Sequence, residues 1–115
     1  MAQHSQAIRL VPETVRSLAF GSIGAAYTGV GTAITNPIRI LHVQNLTDSE
    51  LMFSYDGIND HFPLPANGFL VLDITANKSR EQGYYLAEGT RVYVKEVVAP
   101  TTGNVYVTVY YGSIS

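Results

Sequence analysis

The sequence predicts an all-β fold, an antiparallel β-sandwich or a jelly-roll-like barrel of roughly eight to ten strands. Val, Ile and Thr make up 30 of the 115 residues, and Tyr adds 8 and Phe 4; these side chains fit a pleated, half-buried surface. Ten glycines and five prolines are spread along the chain as turn residues. Several runs alternate apolar and polar residues, which is the period of a strand with one buried face.

The length predicts a single domain over residues 13–115, preceded by an N-terminal arm over residues 1–12. A chain of 115 residues and 12.5 kDa is too short for two ordinary hydrophobic cores. The arm is polar at first and then apolar at Ile8, Leu10 and Val11. We expect it to lie along the strand edge or groove of a partner, which would bury these side chains; the alternative is that it folds back on its own sheet.

The segment that follows the arm has a less regular pattern. Residues 13–20 fit either a helix or a strand, and a strand is favoured because no capping glycine or basic last turn follows. Residues 21–36 are rich in small side chains, which predicts a long loop or a close-packed strand with bulges.

Clear strand patterns begin at residue 38. Residues 38–45 form a predicted strand whose apolar phase slips at Ile40 and Leu41, which indicates burial on both faces or a bulge. Residues 51–55 alternate and are expected to pair back on that strand as a hairpin. Residues 105–110 show the cleanest alternation in the chain.

Two segments between these strands have distinct patterns: one contains prolines, and the other is apolar on both faces. Pro63 and Pro65 exclude the residues around them from a central position in a sheet. Residues 69–72 begin a strand that is apolar on both faces. The predicted interior consists of Ile40, Val43, Phe53, Phe69, Val71, Val94, Val105, Val107 and Val109.

Two dipeptides, Asp56-Gly57 and Asn67-Gly68, are the strongest tight-turn signals in the chain. Such pairs occupy hairpin turns that require a positive φ, which glycine adopts without a steric penalty. We therefore expect Gly57 and Gly68 to hold positive φ and all four residues to have a structural role.

Charge and cysteine content exclude several classes of protein. Lys and Arg number 7 and Asp and Glu number 9, a formal charge of −2, so the basic surplus that binds nucleic acid is missing. The absence of cysteine excludes a disulfide framework, a thiolate metal site and a cysteine nucleophile. No apolar stretch approaches the roughly 18 residues of a membrane span, and no signal-peptide pattern is present, so no membrane association is expected.

No constellation for catalysis is evident, so we predict no catalytic, cofactor-binding or metal-binding residues and no enzymatic activity. His4, His42 and His61 do not have metal-site spacing, and no nucleophile elbow or phosphate loop occurs. Residues 56–60 contain three oxygen-bearing side chains that could bind calcium. A turn held by hydrogen bonds from these side chains is the favoured alternative to calcium binding.

Aromatic residues point instead to contact surfaces. Six of the eight tyrosines fall in the C-terminal third of the chain, and tyrosine is enriched at protein interfaces. A protein–protein interface is favoured over carbohydrate binding, and part of the cluster is expected to be cross-strand packing. The candidate interface residues are Ile8, Leu10, Val11, Tyr84, Tyr85, Tyr106 and Tyr110.

Seven short blocks carry a family resemblance. They are RSLAFGSI (16–23), NPIRI (36–40), NLTD (45–48), FSYDG (53–57), LPANGF (64–69), DITANK (73–78) and VTVYYG (107–112). Over about residues 14–112, this pattern resembles small structural proteins encoded in the genomes of tailed bacteriophages. The pattern contains no catalytic residues that could be carried over.

The resemblance implies a virion protein that is assembled in the cytoplasm of the bacterial host. The favoured role is a capsid decoration or cement subunit that contacts the major capsid protein or other virion proteins, and such parts often work as homo-oligomers. A head–tail joining (neck) or tail-wall subunit is the alternative within this class. A carbohydrate-binding β-sandwich module is the alternative outside it.

Overall fold

The computed structural model describes residues 8–73 and 86–114, and within them the regular structure is strand except for one short 3-10 turn at Phe20–Ser22. Two antiparallel sheets enclose one hydrophobic core, so the predicted all-β, sandwich-like fold is confirmed. The strands are β1 (Ile8–Pro12), β2 (Arg16–Ala19), β3 (Thr28–Gly29), β4 (Ile38–Thr47), β5 (Leu51–Ser54), β6 (Phe62–Leu64), β7 (Phe69–Asp73), β8 (Tyr93–Glu96) and β9 (Gly103–Ile114).

The first sheet is organised around β9. Its strand order is β1-β9-β4-β7, and β2 pairs with β9 on the same side as β1. The second sheet has the order β3-β8-β5-β6. As predicted from the prolines, β6 lies at an edge of this sheet, where β5 is its only ladder partner among the described strands.

The predicted N-terminal arm contributes a strand to the chain's own sheet. Its residues Ile8–Pro12 form β1, in which Pro12 lies opposite Tyr110 and Ile8 opposite Ile114 of β9. For these five residues the structure shows the alternative arrangement, in which the arm folds back. Residues 1–7 lie outside the described part of the chain.

β1 and β2 pair with the same side of β9 and are separated by a β-bulge. Pro12 lies opposite Tyr110 and Arg16 opposite Val107, so residues 13–15 of the edge span only residues 108–109 of β9. One extra residue on the edge side is the definition of a β-bulge, and it reverses the alternation of side chains beyond it. Of the ambiguous residues 13–20, Arg16–Ala19 form strand β2, as favoured.

The predicted hairpin between residues 38–45 and 51–55 is wrong. β4 is paired on one side with β9 and on the other with β7, which leaves no position for β5. β5 instead crosses to the second sheet and pairs with β6 and β8. The predicted irregularity in β4 does occur, as a register shift between Ile38 and Ile40.

The core joins the inward faces of both sheets with the loop before β4. Phe53 is fully buried and its ring stacks on Phe62 at a centroid distance of 5.1 Å. The buried apolar residues are Ile23, Val30, Ile34, Ile38, Leu41, Val43, Leu51, Phe53, Leu64, Val92, Val94, Val105, Val107 and Val109.

Three of the nine predicted interior residues are not in this core. Phe69 and Val71 are 65% and 52% exposed, and Ile40 is partly exposed. The pairing of β7 with β4 explains this result, because Leu70 lies opposite the buried Val43 and turns inward with it. A strand that is apolar on both faces does not reveal from its own sequence which face its neighbour will bury.

The two predicted glycine turns differ. Gly57 has the expected positive φ of 77°. In the second turn the positive φ, 62°, belongs to Asn67, so the prediction for Gly68 is wrong. Gly68 donates its N–H to Pro65 O at 2.9 Å, and a Cβ there would lie 2.7 Å from Pro65 Cδ. Asn67 accepts the left-handed conformation because its short polar side chain tolerates it, whereas glycine is needed at 68 for close packing.

Candidate contact surface

The first sheet has one face turned away from the core, and we call the part of it that lies on β4, β7 and β9 the outer face. Residues that lie opposite each other on neighbouring strands share a face; Gln44, for example, lies opposite both Phe69 and Tyr106. The outer face is formed by Ile40, His42, Gln44 and Leu46 of β4, Asn104, Tyr106, Thr108 and Tyr110 of β9, and Phe69, Val71 and Asp73 of β7.

Large apolar side chains are exposed on the outer face. Besides Phe69 and Val71, Leu46 is 44% exposed. The ring of His42 meets Phe69 edge-on, with centroids 6.1 Å apart and an interplanar angle of 86°. Contiguous exposed apolar surface on a soluble protein marks an interaction site more often than single exposed residues do.

The outer face is also nearly uncharged. Asp73, at the end of β7, is its only carboxylate, and none of its eleven residues is Lys or Arg. Depletion of charge together with enrichment of aromatic residues distinguishes the core of a protein interface from ordinary surface. The geometry therefore suits contact with another uncharged surface.

The structure unites part of the predicted interface set. Tyr106 and Tyr110 are on the outer face, and the Tyr106 hydroxyl accepts a hydrogen bond from Asn104 Nδ2 at 3.1 Å. Leu10 is 47% exposed and lies opposite Gly112, on the same side of the sheet as Tyr110. Val11, its neighbour in β1, is partly buried.

The remaining predicted interface residues are Ile8, Tyr84 and Tyr85. Ile8 belongs to β1 at its N-terminal end, and Tyr84 and Tyr85 lie outside the described residues. The sequence pattern did not identify Phe69 and Val71 as candidate contact residues, because it predicted them in the core. It also missed His42, whose position beside Phe69 results from the β4–β7 pairing.

The loop over residues 56–60 is a turn built around the carboxylate of Asp56. Asp56 Oδ1 accepts hydrogen bonds from the N–H groups of Ile58 and Asn59, at 2.8 and 2.9 Å, and from the Ser54 hydroxyl at 2.8 Å. Asp56 Oδ2 accepts from Asn59 Nδ2 at 2.9 Å. The bonds from Asn59 and Ile58 hold the pKa of Asp56 far below its ordinary value. Both carboxylate oxygens of Asp56 thus accept hydrogen bonds from the chain itself. This is the arrangement expected of a turn held by side-chain hydrogen bonds, the favoured alternative to calcium binding.

Asp60, at the end of this loop, is bound by two neighbours. It accepts a hydrogen bond from the Tyr27 hydroxyl, and Lys95 Nζ lies 3.0 Å from the same oxygen. These two contacts lower the pKa of Asp60, the bond from Tyr27 more than that from Lys95. Among the described residues, no group of three or more His, Cys, Asp or Glu is arranged to hold a metal ion.

A groove of about 610 Å³ lies where β1 and β2 meet the loop before β4. Two charged side chains in its wall, Glu13 and Arg16, are each 8% exposed and 2.7 Å apart. Arg16 also donates to the carbonyls of Thr32 and Ala33, at 2.8 and 3.0 Å. Glu13 accepts from the backbone and side-chain nitrogens of Asn36, both at 3.0 Å.

These bonds determine what the groove can do. Burial raises the pKa of Glu13, but the hydrogen bonds from Arg16, Asn36 and Thr35 outweigh burial and lower the pKa below its ordinary value. A ligand would have to displace bonds that the chain already makes, so these charges join the edge strand to the loop instead of forming an open binding site.

No protein-family model, curated protein or solved structure matches the chain. In the described part of the chain, no helix has the length and hydropathy needed to cross a membrane. What the described residues define is a β-sandwich with one nearly uncharged, partly apolar sheet face.

Proposed function

We propose that this chain is a structural subunit that acts through protein–protein contact, and that its place is in the virion of a tailed bacteriophage as a capsid decoration or cement protein. The observation that carries the proposal is the outer face. Phe69, Val71 and Leu46 are exposed on it, and none of its eleven residues is Lys or Arg. The sequence blocks that resemble phage structural proteins supply the virion context.

The mechanism follows from burial of this face. Placed over a joint between major capsid subunits, it would remove apolar and tyrosine surface from water on both sides of the joint. Burial of apolar surface contributes about 25 cal/mol per Å² before the costs of association. A subunit that binds only the assembled shell stabilises that shell by mass action, with no cofactor or catalytic group.

The test is incorporation into particles. We expect the chain in purified virions of the phage that encodes it, at a copy number of hundreds for decoration, by densitometry of a stained gel. On the order of a dozen copies would instead indicate the neck or tail, because those positions have low rotational symmetry. Absence of the chain from virions would refute the virion role.

A pair of variants tests the outer face itself. Thr108→Lys places a charge between Tyr106 and Tyr110, in the middle of the face. We expect incorporation to fall at least about tenfold, because an unpaired charge buried in an interface is costly. Ala87→Lys adds the same charge at an exposed position outside the face and should incorporate normally.

Carbohydrate binding is a second candidate, and one observation favours it. The exposed ring of Phe69 lies on the same face as the hydroxyls of Tyr106 and Thr108, and sugars stack on rings and bond to hydroxyls. The chain contains no Trp, the ring most often used in that role. Binding on a glycan array that Thr108→Lys abolishes would support this candidate over the structural one.

A further inference from the structure

The edges of the two sheets differ in how well they are protected against pairing with another chain. Proteins block edge strands with proline, bulges, very short strands or lysine. β6 contains Pro63, β3 is two residues long, and the β1–β2 edge is broken by its bulge. β7 has the sequence FLVLD and a regular register against β4, so it has no proline, bulge or lysine, and its single charged residue, Asp73, is the last of the strand.

The side of β7 that faces away from β4 presents the backbone groups of Phe69 and Val71. Asn45 N–H donates to Gly68 O at 2.8 Å, so the backbone groups of Gly68 face β4. Successive residues of a strand direct their N–H and C=O groups to opposite sides. Leu70 therefore bonds towards β4, while Phe69 and Val71 direct their N–H and C=O away from it. Within residues 8–73 and 86–114, no strand pairs with this side of β7.

We propose that this edge pairs with β7 of a second copy of the chain, antiparallel about a two-fold axis at Leu70. In that register, Phe69 of one copy lies opposite Val71 of the other, and the two residues exchange both backbone hydrogen bonds. Symmetry repeats this pair, so the four outward groups on each copy gain partners. Aromatic and β-branched residues are a favourable cross-strand pair.

A second copy fits this edge better than a charged partner would. The three central residues of the contact, Phe69, Leu70 and Val71, are all uncharged, so two copies meet without opposed like charges. The joined sheets would also place two outer faces side by side. The strand is five residues long, so the buried area falls below the roughly 1,200 Å² of stable interfaces. We therefore expect a reversible dimer with a dissociation constant in the micromolar range or weaker.

The inference is independent of the virion role, because the purified full chain alone tests it. Sedimentation equilibrium over about a hundredfold range of concentration should show monomer and dimer in exchange. Amide hydrogen exchange gives a residue-level readout: the Phe69 and Val71 amides should become protected as concentration rises. The Leu70 amide, bonded to β4, should be protected throughout. A monomer at every concentration, or no change at Phe69 and Val71, would overturn the proposal.

Two lysine variants separate edge pairing from stacking of outer faces. Val71→Lys places a charge on the proposed edge at a side chain that is already 52% exposed, and it should weaken the dimer at least tenfold. Leu46→Lys adds the same charge to the outer face at a side chain 44% exposed, on β4 and away from the edge, and should leave the dimer intact. If Leu46→Lys dissociates the dimer and Val71→Lys does not, edge pairing is refuted.

Discussion

Glu13 and Arg16 form a buried ion pair only because a bulge separates them. In a regular strand, residues three apart point to opposite faces. Here the N–H of Glu13 donates to Val109 O, and Arg16 lies opposite Val107. Residues 14 and 15 therefore share the single position opposite Thr108. The extra residue turns both charged side chains to one side, where they meet at 2.7 Å.

Removal of one partner of this ion pair should lower the free energy of unfolding. Arg16→Met would leave the Glu13 carboxylate buried without its cation, and we expect a loss of about 3 kcal/mol in the free energy of unfolding. The control is Lys95→Met, which breaks the more exposed pair with Asp60 and should change stability far less, because solvent screens exposed ion pairs. Urea denaturation at neutral pH compares the two; equal losses would contradict the role of burial.

Glu13 should also contribute to the loss of stability in acid. Its pKa is lowered in the folded protein from an ordinary 4.5, so the unfolded chain binds the proton more readily. The contribution is complete above the unfolded pKa and is lost as pH falls through the folded pKa. In urea titrations, the stability difference between the native chain and Glu13→Gln should shrink as pH falls from 7 to about 3. A constant difference would mean that the carboxylate does not titrate with folding.

Asn45 should be essential for the joint between the sheets. Its side-chain nitrogen donates to the carbonyls of Ser49, Leu64 and Pro65 at 2.9, 3.1 and 3.0 Å, and the residue is fully buried. Asn45→Ala leaves these carbonyls without that donor, and we expect a loss of about 3 kcal/mol by chemical denaturation. Gln44→Ala, the adjacent change on the outer face, should cost less than about 1 kcal/mol.

Phe53 and Phe69 should respond differently to truncation. Phe53 is fully buried and Phe69 is 65% exposed. We expect Phe53→Ala to cost about 3–5 kcal/mol and Phe69→Ala less than about 1 kcal/mol. Thermal unfolding of both variants at low protein concentration measures this, and a large loss at Phe69 would show that β7 faces the other way.

Gly57 should not tolerate a branched side chain. Its φ is 77°, and a Cβ there would lie 3.2 Å from the ring of Tyr93. Gly57→Val should lower the free energy of unfolding by more than about 1 kcal/mol. Gly21→Ala is the control, because a Cβ at Gly21 meets nothing within 4 Å. An unchanged urea midpoint for Gly57→Val would contradict the turn assignment.

Local patterns were sufficient for the parts of this protein that depend on neighbours in sequence. Alternation identified β4 and β9, the prolines placed β6 at an edge, and Asp56-Gly57 identified a turn with positive φ. The alternation of side chains along a strand, the ring of proline and the steric freedom of glycine all act within a few residues of the chain. An all-β fold could therefore be derived from the sequence alone.

Only the tertiary structure decided which strands meet and which faces they bury. β4 pairs with β9 across more than fifty intervening residues, and that pairing sends β5 to the other sheet. The register against β4 exposes the side chains of Phe69 and Val71 and turns the side chain of Leu70 towards the core. The outer face and the Glu13–Arg16 pair exist because of these registers. Backbone hydrogen bonds between distant strands set a register, and a shift of one residue would exchange every buried side chain for an exposed one.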